Sequence, residues 1–127
     1  MRHATIEDAL ELAELENVIF PENCFNEVTL AKEIEAGICW VHQPGSCILG
    51  YLLARKDGNL LDVLRLGVHP EHQNTGIGTA LLEESIREAE SSMLTVKKVN
   101  LVAMRLYHRY GFRIVGELQE GGWVMKR

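Results

Sequence analysis

No stretch of this sequence is long and apolar enough to read as a membrane span. No apolar segment follows Met1-Arg2-His3-Ala4-Thr5-Ile6-Glu7-Asp8, so a signal peptide is not expected either. Cysteine is scarce. Cys24, Cys39 and Cys47 are odd in number and show neither a CxxC pair nor another zinc spacing. That argues against a disulfide framework and a zinc site, and predicts reduced, packing thiols in a cytoplasmic protein. Basic residues are too few to offset the acids: the formal net charge is -5, with no basic block. A phosphate-backbone-binding role is therefore disfavoured, as is a membrane partner. The acidic balance would speed encounter with a cationic acceptor without saying anything about chemistry.

What is present fits one domain over residues 1–127, large enough to bury a core without metals or disulfides. Thr5 and Asp8 mark a helix start, and Ile6, Ala9, Leu10 and Ala13 fall on one helical face. Pro21 interrupts this segment, and a second helix is expected from about Thr29 to Ala36, stopping at Gly37. Three strands should follow: Ile38 to His42, Cys47 to Lys56, and Asn59 to Val68, the last two joined by the hairpin signal Asp57-Gly58. A helix from about Gly76 to Ser91 carries Leu82, Ile86, Ala89 and Met93 on its apolar face. Then come a short strand at Leu94-Thr95-Val96, a helix capped by Asn100 and ended by Gly111, and a hairpin turning at Gly121-Gly122. In that helix Ala103, Leu106, Tyr107 and Tyr110 share a face. Strands joined partly by hairpins and partly by helices predict an α+β fold of mixed α/β layers, with a parallel crossover through residues 60–96.

Gln73-Asn74-Thr75-Gly76-Ile77-Gly78 lies between a strand and a helix. Glycines there let the backbone approach a ligand, and the free N–H groups of the first helical turn favour an anion such as a pyrophosphate. It is not a Walker A loop, because Thr79-Ala80 stands where Lys-Ser/Thr is needed. Nor is it the dinucleotide fingerprint, which needs a third glycine. On the glycines alone, a connector with no ligand is an equally good reading.

The flanking residues narrow this. Val68-His69-Pro70 followed by Gln73-x-x-Gly76-x-Gly78 resembles motif A of the general-control-related N-acetyltransferase (GNAT) superfamily. Asn100-x-x-Ala103-x-x-Leu106-Tyr107-x-x-Tyr110-Gly111-Phe112 resembles its motif B. The likeness runs from Ile6 to the closing hairpin and is strongest between Leu60 and Phe112. It implies a central, mostly antiparallel mixed sheet with helices on both faces and a splayed parallel strand pair, and acetyl-CoA as cosubstrate with no metal. By resemblance, Leu66, Gly67 and Val68 lie at a bulge whose free backbone groups pair with the pantetheine arm, and the Val68 N–H polarises the thioester carbonyl. Gln73, Asn74, Thr75, Gly76, Ile77, Gly78 and Thr79 hold the pyrophosphate through main-chain N–H groups, so side-chain identity matters little outside the glycines. Asn74 departs from the basic residue common there, which implies the loss of a phosphate contact. Lys97, Lys98 and Arg105 are either 3′-phosphate ligands or solvated charges. Asn100 matches the asparagine that contacts the pantetheine arm, besides serving as an N-cap.

Tyr107 matches the tyrosine that protonates the departing CoA sulfur. A thiol pKa near ~8.5 and a phenol near ~10 make that exchange feasible. Spacing alone favours a core tyrosine at Tyr107, and it is the resemblance to motif B that reverses that preference. For the general base, Asp62 stands six residues before Val68, on the same strand face by period-two counting. His69 and Glu117 are weaker choices, and Thr95 replaces the glutamate of the branch that acetylates ribosomal-protein N-termini. Motif B and the Phe20-Pro21 step lean towards that branch nonetheless. The acceptor is expected to be a protein N-terminus or a small-molecule amine, held by Asn17 to Thr29 and Leu118 to Trp123. Two rivals stand: a non-catalytic acyl-CoA-binding regulatory module and an interaction protein that keeps the fold. A homodimer through the last strands is also compatible with the resemblance.

Overall fold

The computed structural model describes residues 1–127. Its seven strands form one sheet in the order β1-β2-β3-β4-β5-β7-β6. The strands are β1 Arg2–His3, β2 Ile38–His42, β3 Gly50–Asp57, β4 Leu60–Val68, β5 Ser91–Lys97, β6 Arg113–Leu118 and β7 Gly122–Lys126. All neighbours are antiparallel except β4 and β5, which are parallel. Four helices cover the faces: α1 Ala9–Ile19, α2 Glu27–Ala36, α3 Ile77–Ile86 and α4 Leu101–Arg109. This is the expected α+β architecture. No helix is long and apolar enough to cross a membrane.

The sheet divides two cores. On one face Leu52, Leu61, Val63, Leu81, Leu82, Leu94 and Phe112 pack beneath α3 and α4. On the other, Leu12, Leu15, Leu30, Ile34, Tyr51 and Leu53 pack beneath α1 and α2. The four residues expected to line α4, Ala103, Leu106, Tyr107 and Tyr110, all pack on the first core. The Tyr110 hydroxyl also bonds Glu83 on α3, which locks the two helices together. Gly50 lets α3 close on the sheet, because a methyl there would lie 2.8 Å from Ile77 Cγ2. Since Ile77 opens α3, this close approach places the helix N-terminus against the end of β4.

Several expectations need correction. The face of α1 that enters the core is Ala9, Leu12, Leu15 and Glu16, whereas Ile6 and Leu10 are more than half exposed. α3 stops at Ile86, five residues early, and Met93 belongs to β5, where it opposes Asp62 and Lys126. The apolar spacing continued past the helix, but Ser91 and Ser92 pair with Leu60 and Leu61 instead. α2 begins two residues early, because Asn26 Oδ1 caps it by accepting the Thr29 N–H at 2.8 Å.

The bulge is displaced as well. Leu66, Gly67 and Val68 pair regularly with Leu52, Tyr51 and Gly50. The irregularity lies at Leu64, the one β4 residue without a partner, between the pairs Leu53 to Arg65 and Ala54 to Val63. An extra residue reverses the period-two count beyond it. Leu61, Val63, Leu66 and Val68 therefore share the α3–α4 face, while Leu64 faces α1 and α2.

Candidate active site

The parallel ladder between β4 and β5 covers only Leu60, Leu61 and Asp62 against Ser91, Ser92 and Met93. Beyond it the two strands part. The His69 N–H donates to Leu49 O at 2.8 Å, towards β3. Strand alternation then turns the backbone groups of Val68 and Leu66 the other way, into the gap towards β5. The Gln73 side chain reaches Val68 O at 3.3 Å, as that orientation requires. A bulge at Leu64 and a splay after Asp62 together leave a lip of free backbone.

The gap opens into a cleft of ≈ 490 Å³. Its walls are Leu64, Arg65 and Leu66 of β4, Thr95, Val96 and Lys97 of β5, Asn100 and Tyr107 at α4, Phe20 and Asn23 after α1, and Leu118, Glu120 and Gly122 of the last hairpin. Residues from both faces of the sheet meet there, so the cleft runs through the sheet and not along it. A second cavity of ≈ 250 Å³ joins the start of α3 to one side of α4. Val68, Gln73, Asn74, Gly76, Ile77, Gly78 and Thr79 line it, opposite Val102, Leu106 and Arg109.

The turn before α3 leaves backbone donors free. Gly76 caps α3 with φ +87°, a left-handed conformation that favours glycine. Asn74 is also left-handed, with φ +62°. Asparagine tolerates that region better than other non-glycine residues, which supplies a backbone reason for the missing basic side chain. The first backbone bond of the helix runs from Ala80 N to Gly76 O at 3.0 Å, so the preceding N–H groups of Ile77, Gly78 and Thr79 are free in the helical ladder. A pyrophosphate suits this cradle. Side chains matter more than expected: Thr75 Oγ1 donates to His72 O at 2.5 Å and, with Gln73, holds the turn in place. His69, Glu71 and His72 have ligand atoms within 4.8 Å of one another, close enough to consider a metal ion. However, His69 Nδ1 already accepts the Glu71 N–H at 3.1 Å, so that nitrogen is spent on the turn.

Tyr107 is half-buried on the cleft wall, its ring 5.8 Å from that of Phe112. Burial pushes its phenol pKa above the usual 10.0, so it keeps its proton at neutral pH. Asn100 Oδ1 caps α4 by accepting the Ala103 N–H at 3.2 Å, and the residue lines the same cleft. Asp62 is not brought there. It opposes Arg55 on β3, and Arg55 is bound to Glu33 of α2. It therefore faces α1 and α2, on the opposite side of the sheet from Val68, roughly 20 Å along the strand. The face expected for it is wrong because the bulge at Leu64 intervenes. Glu117 is engaged by Lys98, whose ammonium also lies 4.3 Å from the Trp123 ring centre. Arg105 lines a separate groove with His108 and Arg113.

Three charged residues of the site were missed. Arg109 stands beside the anion cradle, and its spacing from Val102 and Leu106 could have shown it on that face of α4. Arg65 and Glu16 form a pair beside the cleft. Glu16 is fully buried and accepts from Phe25 N–H at 2.9 Å and from Arg65 Nε and Nη2 at 3.2 Å each. Burial raises the Glu16 pKa, while the Phe25 N–H and Arg65 oppose the rise. Glu16 lies one turn after Leu12 on the core face, and that spacing was the available signal.

With this geometry in hand, the comparisons are specific. The model of the Acetyltransferase (GNAT) family matches residues 6–112. An N-alpha-acetyltransferase of Sulfurisphaera tokodaii is 28% identical over 139 aligned positions, covering 94% of this chain and 83% of that protein. Among solved structures, the ribosomal-protein-S18-alanine N-acetyltransferase of Escherichia coli superposes with a TM-score of 0.85 at 20% identity, over 98% of this chain and 90% of the other. The PaiA N-acetyltransferase of Thermoplasma acidophilum, solved with coenzyme A, gives 0.86 at 20% identity, over 99% and 96%. These two share the fold.

Proposed function

The chain belongs to the acetyltransferase (GNAT) family and is an N-acetyltransferase, and from that premise we propose that it moves the acetyl group of acetyl-CoA to a primary amine by direct attack within the β4–β5 gap. One observation carries the reading. The ladder between these strands ends at Asp62, and beyond it Val68 of β4 lines the cavity at the α3 turn while Leu66, two residues earlier, lines the cleft that bears Tyr107.

The free N–H groups at the start of α3 would hold the pyrophosphate, with Arg109 adding charge from α4. The open edge of Leu66 and Val68 would pair with the pantetheine arm as a strand would. That alignment places the Val68 N–H at the thioester carbonyl, where it stabilises the developing oxyanion. Asn100 would bond the same arm from the other lip.

The acceptor enters from the Phe20 and Glu120 end of the cleft. Its nitrogen lone pair forms the C–N bond, the C–S bond breaks, and the departing sulfur takes the Tyr107 phenol proton, which solvent replaces. The amine nitrogen becomes acidic once the C–N bond forms. Glu120, the one carboxylate on the cleft wall, takes that proton and relays it to water. Asp62 is given no part. Both reactants are held in one cleft, so no covalent enzyme intermediate is required. The S. tokodaii relative, an N-alpha-acetyltransferase, supports a protein N-terminus as acceptor, with small-molecule amines as the other class.

The test is release of CoA thiol over a panel of peptides, amino acids and polyamines. At least one acceptor should accelerate release well above hydrolysis. Tight CoA binding with no accelerated release by any amine would instead make the chain an acyl-CoA-binding module.

A further inference from the structure

One cation on the cleft wall is held with part of its bonding capacity unspent. The bulge at Leu64 turns Arg65 towards α1, where its guanidinium carbon lies 4.2 Å from the Phe20 ring centre and 4.3 Å from that of Phe25. Nε and Nη2 bond the Glu16 carboxylate, and Nη2 also donates to Asn23 O at 2.8 Å. Those bonds take three of the five guanidinium donors. The two on Nη1 have no partner in the chain. Nη1 is nonetheless not sealed in, because the buried side-chain polar atoms lacking a partner are only Tyr51 Oη and Ser92 Oγ. The cavity that Arg65 lines is the cleft. Two rings and a carboxylate fix the plane of the guanidinium, so Nη1 presents two oriented donors to whatever occupies the acceptor end.

Charge decides what that occupant is. Glu16 is fully buried and its charge is balanced by Arg65, so the pair carries no net charge. A second carboxylate at Nη1 would add an anion to a partly desolvated site that already holds Glu120, with the exposed, solvent-screened Lys97 the one other cation on the wall. A neutral carbonyl oxygen accepts both donors without that cost. An acceptor lacking a carbonyl, such as a polyamine, would cover Nη1 and leave it unpaired.

We propose that Arg65 selects the acceptor by binding the carbonyl oxygen beside the reacting amine, and that the acceptor is therefore the N-terminus of a polypeptide, an α-amine whose neighbouring carbonyl is a neutral amide. This rests on the acetyl-transfer reading and names the acceptor of that same site. It separates the peptide from a free amino acid, whose carboxylate is charged, and from a simple alkylamine.

The experiment compares a short alanyl peptide, free alanine and isopropylamine as acceptors. They are measured with the wild-type chain, with Arg65→Lys, and with the double variant Glu16→Gln/Arg65→Gln, which leaves no buried carboxylate unpaired. Working with ratios between acceptors cancels their different amine pKa values. The wild-type chain should prefer the peptide over both alternatives by tenfold or more in kcat/KM, mainly through KM. Each folded variant should lose about tenfold or more of its peptide-over-alkylamine ratio, as expected for a hydrogen bond to a charged group. The same ratio in a folded variant, or wild-type preference for alanine or isopropylamine, overturns the proposal. Where neither variant folds, the wild-type preference decides. If the wild-type chain binds CoA and no amine of the wider panel accelerates thiol release, the acetyl-transfer reading itself fails; transfer only to amines other than the peptide overturns this proposal alone.

Discussion

Replacing Tyr107 by phenylalanine removes one oxygen from the cleft wall and little else. No group of the chain holds that hydroxyl, in contrast to Tyr110, whose hydroxyl is tied to Glu83. The ring keeps its contact with Phe112 at 5.8 Å. Stability should therefore stay within about 0.5 kcal/mol of wild type. The anion cradle lies on α3 and on Arg109, so CoA affinity should hold within about threefold. Turnover is another matter. A positioned general acid contributes about 10²–10⁴-fold, which is roughly 2.7–5.4 kcal/mol of barrier. The pH dependence adds a second signature. Burial raises the Tyr107 pKa above its ordinary value, so the proton-donating form persists through neutral and mildly alkaline pH and is lost only as pH passes the raised value. Wild-type kcat should fall there, and Tyr107→Phe should lack that limb. Thiol release at saturating substrates, CoA titration and thermal melting together decide the matter. A kcat within about threefold of wild type, or CoA affinity lost in step with turnover, refutes the assignment.

Other perturbations reach different parts of the molecule. Gly76→Val forces a β-branched residue to φ +87°, costing at least about 1–2 kcal/mol locally, and should weaken CoA binding tenfold or more. Normal CoA titration of the folded variant would falsify the cradle. Arg109→Gln should weaken CoA several-fold with a smaller salt dependence, and unchanged affinity would mark Arg109 as solvated charge only. Acid stability should be governed in part by Asp8, whose pKa is lowered first by the Arg2 bond and also by the Thr5 N–H. A lowered pKa contributes stability above the unfolded value that disappears as pH falls through the folded one. Asp8→Asn should cost about 1 kcal/mol at pH 7 and almost nothing near pH 2, measured by urea unfolding. Glu16 works in the opposite sense, since its pKa is raised and its ionisation costs stability. An equal cost of Asp8→Asn at both pH values would show that the ion pair contributes nothing.

Much of this was legible because local signals and tertiary structure agree. A two-residue hairpin joins β3 to β4 one position later than expected, at Gly58-Asn59 with Asp57 paired to Leu60, Gly111 ends α4, and the spacing of Ala103, Leu106, Tyr107 and Tyr110 matches the buried side of that helix. Local signals fail where the partner strand decides. Nothing in Leu60 to Val68 marks Leu64 as the extra residue, because alternation looks unbroken until β3 is laid beside it. That single residue moved Asp62 off the expected face and aimed Arg65 at the cleft. Likewise, the apolar period of α3 runs on to Met93, yet pairing of Ser91 and Ser92 with β4 ends the helix at Ile86. β1 is too short, at two residues, to carry any periodicity. Glu16 escaped notice because a charged residue on an apolar face is explained only by its partner, 49 positions away in the sequence.

The parting of β4 and β5 also bears on how the chain holds together. Three residue pairs make up the backbone ladder between the half-sheet β1–β4 and the half-sheet β5–β7–β6, and the core beneath α3 and α4 supplies the rest of the contact. Along the parted lips the two halves are held by that core and by α3 alone, without backbone bonds between the strands. A ligand lying between the lips supplies the missing rungs and couples them. On the proposed function, the acetyl donor should stabilise the fold as well as react, by about 2.7 kcal/mol at a hundred times its Kd. Amide protons on both lips should slow their exchange together when it binds, and the two strands should be held more firmly the more donor is present.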